Sequence, residues 1–260
     1  MPCHARGILP TRPIATLGAG LGLVLALAGC GSAPVSELPP AASLPEAPVP
    51  SSPPAGRVVE GAAPPEPVSV RLGGRTFTVD RGANAVRVLE RGREVGRLRT
   101  GLEPAAIAAA GQGRQVAVLA VRERVVDLFD ARTLRRIGRA NAGAGPARLA
   151  SDGNTVLYVT DATAGAVLVF HTIPELTLER RYQLGGGPWA LAYDGRRRRL
   201  WVTLAAANRV AELTGGIRTR RLDDFPSLRR PSAVAVAAGS GEVRVSGARH
   251  GVVQLLERSP

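Results

Sequence analysis

Residues 152–170 read DGNTVLYVTDATAGAVLVF. An Asp-Gly pair, in which glycine supplies the positive φ of a tight reversal, precedes a short apolar run; small residues and a second apolar run follow. Taken alone, the stretch is a hairpin whose Asp152, Asn154 and Asp161 also suit the opening of a calcium loop. That loop fails at Val156, which has no side-chain oxygen for the next ligand position. The sequence downstream favours the hairpin, because Asp194-Gly195 returns 42 residues after Asp152-Gly153 and introduces RLWVTL and NRVAELT.

Moving outward, the same unit recurs along the chain. Each copy opens with a proline, two residues and an aliphatic: Pro67-Val-Ser-Val70, Pro104-Ala-Ala-Ile107, Pro146-Ala-Arg-Leu149, Pro188-Trp-Ala-Leu191 and Pro231-Ser-Ala-Val234. From Pro104 to Pro231 the spacings are 42, 42 and 43 residues. A glycine-bearing turn then leads to a second strand (RTFTV, QVAVLAV, TVLYVT, RLWVTL, EVRVS) and a third (NAVRVLE, RVVDLFD, GAVLVFH, NRVAELT, GVVQLLE). A more polar fourth strand closes four copies: REVGRLR, TLRRIGR, TLERRYQL and GIRTRRL. Four short strands per period of about 40–45 residues are the signature of a propeller blade. The polarity gradient agrees, with IAAA and AVAVAA suited to the centre and RRIGR and RTRRL to the rim.

LYVTD at 157–161, the Pro-led strands and the NAV and NRV openings resemble the YVTN and NHL-type repeat propellers. The resemblance runs over residues 67–260 and implies an all-β propeller. Those families have six or seven blades, whereas five units are counted here, at about 67–101, 102–143, 144–185, 186–228 and 229–260. Five blades closing alone and a short arc completed by self-association both remain open. The fifth unit reaches Pro260 after its third strand. Arg57-Val-Val-Glu60 stands at the right distance before Pro67 to be the missing rim strand, so 57–60 is predicted to pair with the third strand of the last blade and close the ring.

Composition bounds the rest. Apolar residues make up 45% of the 260 and aromatics only 3%, so the core must be Val, Leu, Ile and Ala. The formal charge of +13 resembles a nucleic-acid signal, yet every basic residue is arginine, as in proteins of GC-rich genomes. The first residues also argue against nucleic acid. Arg6 and Arg12 precede the apolar stretch Ile14–Leu27, which has the layout of a secretory signal. It ends in LAGC at 27–30, similar to the lipobox of bacterial lipoproteins. That resemblance implies cleavage between Gly29 and Cys30 and a diacylglycerol on the Cys30 thiol, with Cys3 removed in the 1–29 signal peptide. Residues 30–56, rich in Pro, Ala and Ser, are predicted to be a disordered, extended tether that holds the domain off the bilayer.

The expected partners are therefore a membrane, through the lipid anchor, and an anionic envelope polymer, lipid or envelope protein, with no nucleic acid. The candidate ligand face is the one shared by the turns between strands two and three and the links between blades. It carries Arg81, Arg122, Arg124, Asp161, Arg249 and His250, with Arg99, Arg139, Arg229 and Arg230 in or near the links. Arginine forks onto carboxylate or phosphate, so a basic mouth for an anionic ligand is one reading and a solvated rim the other. Arg196–Arg199 fall on the opposite face. His171 and His250 occupy non-equivalent repeat positions, so no metal or other cofactor and no catalytic residue is expected. Binding or scaffolding at the envelope is the leading reading, with an extracellular lyase- or hydrolase-type enzyme or a small-ligand sensor as alternatives.

Overall fold

The computed structural model describes residues 38–66, 68–248 and 250–256. The residues expected to form the signal peptide and lipobox, Gly29 and Cys30 among them, lie outside the described residues, as does Arg249.

Among the described residues, twenty strands form five four-stranded antiparallel sheets. Sheet one holds β2 (Ser69–Leu72), β3 (Arg75–Asp80), β4 (Ala85–Glu90) and β5 (Arg93–Arg99). Sheet two holds β6 (Pro104–Ala110), β7 (Gln115–Ala120), β8 (Val125–Asp130) and β9 (Arg136–Asn141). Sheet three holds β10 (Pro146–Ser151), β11 (Val156–Asp161), β12 (Ala166–His171) and β13 (Thr177–Gln183). Sheet four holds β14 (Pro188–Asp194), β15 (Arg199–Leu204), β16 (Arg209–Thr214) and β17 (Arg221–Pro226). Sheet five combines β18 (Ala233–Val236), β19 (Val243–Ser246) and β20 (Val252–Leu256) with β1 (Arg57–Glu60) from the other end of the domain. Val58 faces Gln254 and Val59 faces Val253, so the expected pairing of 57–60 with the last blade's third strand is present.

One backbone device repeats in all five sheets. The residue ending each turn between strands two and three has positive φ: Asn84, Arg124, Gly165, Asn208 and Gly251. Its carbonyl accepts the N–H of the residue just after the rim strand: Thr100, Ala142, Leu184, Ser227 and, for sheet five, Gly61. Gly61 follows β1, so the N-terminal strand takes the rim position in full. Asparagine or glycine suits four of these sites because the left-handed conformation crowds a larger side chain.

The first strands of successive sheets lie side by side, β2 by β6, β6 by β10, β10 by β14 and β14 by β18, giving a propeller-like arrangement. Apolar clusters fill the spaces between neighbouring sheets. Phe77, Val88 and Leu98 meet Ile107 and Val118 between sheets one and two, and Leu119 and Leu128 meet Leu149, Leu157 and Phe170 between two and three. Tyr158 and Val169 meet Leu200 and Val202 between sheets three and four. Trp201 and Val210 meet Val234 and Val245 between four and five.

The rim strands carry a second repeated device. Each of β5, β9, β13 and β17 skips one residue in its pairing, at Val95, Ile137, Glu179 and Leu222, again 42, 42 and 43 residues apart. Such bulges bend an edge strand away from foreign pairing partners, and the many charges on these strands act the same way. Two rim strands lie further along than their sequence suggests. In sheet four the strand is RLDDFP and not GIRTRRL, because Gly216, at φ 93°, and Thr219 build a turn in which Thr219 Oγ1 donates to the Gly216 carbonyl. In sheet two it begins at Arg136, after Asp130 has capped the turn through the N–H groups of Arg132 and Thr133.

Of the disordered tether expected over residues 30–56, residues 30–37 lie outside the described residues, and the picture of the remainder as free of the domain needs correction. Residues 38–56 form no strand or helix, but the chain from Ala41 onward lies against the domain. Ala42, Leu44 and Ala55 pack on the cluster between sheets four and five. Ala55 N–H donates to the Pro226 carbonyl, and buried Gln254 donates to the Ala55 carbonyl. The expectation failed because a proline-rich composition reports the conformation of a segment and not whether a surface receives it.

Candidate functional site

The turns between strands two and three and the links between sheets share one face, as the repeat order requires. Carboxylates and amides pin the links there, with Asp127 and Gln254 fully buried and Glu123 and Asn84 partly so. Asp127 accepts the Gly101 N–H at 2.8 Å, Glu123 the Leu102 N–H and Asn84 the Glu103 N–H. Gln254 stands at the repeat position equivalent to Asp127 and accepts from Leu228 N–H and Ser227 Oγ. Arg139 forks onto Asp127 and also reaches Glu123 at 2.7 Å, and these carboxylates hold its guanidinium still more firmly charged.

Asp161, read as an open candidate, is fully buried. It accepts the N–H groups of Ala144, Gly145 and Ala164 at 2.9, 2.9 and 3.0 Å, with Arg181 at 3.4 Å. Gly143 stands so close that a Cβ there would fall on the carboxylate. Asp161 therefore shapes the link between sheets two and three. Arg124 acts through its backbone carbonyl, and its side chain is half-buried. Arg122 pairs with Glu103 at 3.4 Å. His250 is exposed in the last turn. The basic run on the opposite face is largely engaged as well: Arg196 donates to the Gly239 carbonyl, Arg197 pairs with Asp194, and Arg199 pairs with Glu212.

What gathers at the centre of the face is a different set. Arg148, on β10, places its guanidinium 5.2 Å from the ring centre of Trp189, on β14. Thr160 ties the two strands together, accepting from Arg148 N–H at 3.0 Å and donating to the Trp189 carbonyl at 2.6 Å. Glu66 pairs with Arg148 and, at 3.6 Å, with Arg81, whose guanidinium also donates to the Ala105 carbonyl. Pro64 and Pro65, just before Glu66, lie beside the first strands of sheets three, four and five. A recess of about 290 Å³ opens here, lined by Glu66, Arg81, Glu103, Arg148 and Trp189 and roofed by Ala41 and Ala42.

Of the predicted residues, Arg81 reaches this recess, while Arg122, through Glu103, stands beside it. The sequence reading missed Glu66 and Arg148, and Trp189, which meets Arg148, is itself largely buried in the cluster between sheets four and five. A signal was present in the repeat: the two residues after the opening proline are small or aliphatic in every copy except at Trp189 and Arg148. Among the described residues no three His, Cys, Asp or Glu side chains gather as a metal site, and no helix is long and apolar enough to cross a membrane.

The segment from Ala41 crosses this face with a period of three. Ala41, Leu44, Ala47 and Pro50 turn inward, whereas Ser43, Glu46 and Val49 are exposed. That is the repeat of a polyproline II helix. Its carbonyls are held by side chains of sheet four and the link to sheet five. Arg230 donates to Leu44 and Pro45, both at 3.1 Å, Arg229 to Ala47 at 3.2 Å and Asn208 Nδ2 to Pro48 at 2.9 Å. Asn208 Oδ1 in turn accepts the Arg230 N–H at 2.8 Å and fixes that arginine.

The fold defines the class of the protein: an all-β, propeller-like domain of five four-stranded sheets. No family model matches the sequence, and no curated protein matches it. Solved structures do share the fold. A functionally unknown protein from Desulfotomaculum acetoxidans DSM 771 aligns with a TM-score of 0.61 at 12% identity, over 69% of this chain and 62% of its own. A chain of the Mitotic Checkpoint Complex aligns with a TM-score of 0.64 at 12% identity, over 74% and 61%. The chain thus spans about three fifths of the length of these two structures, and at this identity the likeness concerns the fold alone.

Proposed function

We propose that this chain is exported, carries lipid on Cys30 and serves at the bacterial cell envelope as a closed five-bladed propeller that binds a partner through the face bearing the Arg148–Trp189 recess. The observation that carries the binding reading is that recess. A guanidinium lies over an aromatic face in a concave space, flanked by charges that fix a ligand's orientation. The acids around it support binding over catalysis, because Glu66 lies between two arginines and Asp161 and Asp127 hold backbone N–H groups. The anchor rests on the LAGC segment and its apolar, positively flanked leader.

Two measurements test this together. Detergent phase partition of the protein expressed in a bacterial host should place it in the detergent phase, and Cys30→Ser should move it to the aqueous phase. Wild-type protein remaining in the aqueous phase would refute the anchor. A thermal-shift panel of anionic glycans, phospholipid vesicles and envelope-derived peptides should yield a ligand whose stabilisation Arg148→Ala abolishes. An equal response in that variant would refute the recess as the site.

A further inference from the structure

The segment 42–48 shows what the face can hold. It makes no strand pairing, its Glu46 side chain is 81% exposed in the wild-type arrangement, and four of its backbone carbonyls receive donors from Arg229, Arg230 and Asn208. The backbone that carries the donors is held within the domain, while the guanidinium groups of Arg229 and Arg230 meet the segment itself. Asn208 and Arg230 both sit in left-handed conformations, at φ 53° and 49°, and are bonded to each other. Small surfaces receive the inward residues. Pro45 rests on Gly187, where a Cβ would come within 3.0 Å of the proline ring, and Leu44 and Ala42 join the cluster containing Trp189 and Ala205. Donors aimed at carbonyls, with shallow apolar seats spaced for a threefold helix, are the means by which polyproline II ligands are recognised.

We propose that this groove is a peptide-recognition site for an extended, proline-bearing segment of an envelope protein, of the pattern Leu-Pro-x-Ala-Pro, and that residues 42–48 occupy it in cis as a built-in competitor. The proposal rests on the reading of this face as a binding face and names its partner class. The carbonyl contacts make the site tolerant of the side chain at the outward Ser43 position, whereas Glu46, though exposed, pairs with Arg230 at 3.2 Å and so favours an acid there. The inward positions set specificity, because Gly187 leaves room for a proline ring and the buried Ala47 seat admits nothing large. Occupation in cis at the millimolar effective concentration of a short linker keeps weak ligands out.

The test uses a fluorescent peptide with the sequence of residues 41–50, AASLPEAPVP, followed by anisotropy. The protein is the full chain with 42–48 replaced by Gly/Ser of equal length, or with the single change Leu44→Asp. The released protein should bind the peptide about tenfold or more tightly than the unaltered chain. Adding Arg230→Asn, which removes the guanidinium but suits the left-handed backbone, should weaken binding about tenfold, and Gly187→Val should abolish it. Equal binding of a scrambled peptide, or no binding to either released protein with its thermal transition intact, would overturn the proposal. Dimerisation of the unaltered chain on concentration, without peptide binding by the released forms, would assign the groove to a second copy and also overturn it. Loss of the lipid anchor would leave these results unchanged, and a ligand displaced by Arg148→Ala but indifferent to Arg230→Asn would uphold the recess while refuting the peptide groove.

Discussion

Gln254→Leu should cost more stability than any other single change of similar volume in sheet five. The amide is fully buried and makes four hydrogen bonds: it accepts from Ser227 Oγ at 2.8 Å and Leu228 N–H at 3.2 Å, and donates to the carbonyls of Ala55 at 2.8 Å and Pro226 at 2.9 Å. The Pro226 carbonyl keeps a partner in the Ala55 N–H, and the Ser227 hydroxyl can rotate. Leucine therefore leaves the Leu228 N–H and the Ala55 carbonyl without partners. At about 1–3 kcal/mol for each of the two unsatisfied groups, the loss is about 2–6 kcal/mol, offset by about 1 kcal/mol from the more apolar side chain. In a domain of this size a net loss of about 1–5 kcal/mol lowers the midpoint by about 2–20 °C. Thermal unfolding followed by circular dichroism reads the shift. Because the same amide joins the segment before β1 to the link before β18, deleting 57–60 in the Gln254→Leu background should cost clearly less than the two separate losses combined. A midpoint within about 1 °C of wild type, or strict additivity with the deletion, would refute the idea that Gln254 couples the two chain ends.

Gly56→Ala should destabilise by about 2 kcal/mol or more, since Gly56 has φ 73° and a Cβ would fall on the Leu255 carbonyl oxygen; a neutral result in urea unfolding would refute the close approach of β1 to β20. Asp161→Ala should cost about 3 kcal/mol by taking the acceptor from three N–H groups, that of Gly145 buried, and unchanged stability would return Asp161 to the ligand face. Asp130 has its carboxyl held below the usual range, first by the Thr133 N–H and then by the Thr133 hydroxyl. Its contribution is present above the ordinary carboxylate pKa and disappears as pH falls through the lowered folded value. Asp130→Asn should therefore destabilise at about pH 7, by an amount that shrinks as the solution is made more acidic than the ordinary carboxylate pKa; a loss that does not change with pH would exclude the charge as its cause.

The repeat was legible because its causes are local. Val-rich alternation after a glycine turn, returning every 42 or 43 residues, specifies hairpins, their order and the use of 57–60 as a rim strand. The left-handed position was also visible in Asn84, Gly165, Asn208 and Gly251, since few residues tolerate it. The bulged rim strands were less so, because charged and apolar residues alternate there without a firm period and register depends on the neighbouring strand. The acids misled for a related reason: Asp161 looks like a ligand in sequence and becomes a clasp only when the link at 144–145 is brought to it.

The recess left only a faint mark in the repeat, at Arg148 and Trp189, and the groove left none. Arg148 and Trp189 stand 41 residues apart, and Arg230 is 185 residues from Pro45, whose carbonyl it holds. Carbonyls are common to every residue, so a segment recognised through them carries little compositional mark of its receptor. The sequence determined the strands and their fourfold grouping. Tertiary structure decided which charges are buried as clasps, which meet at the centre of the face, and that the proline-rich segment lies on the domain, because those outcomes depend on groups meeting across sheets.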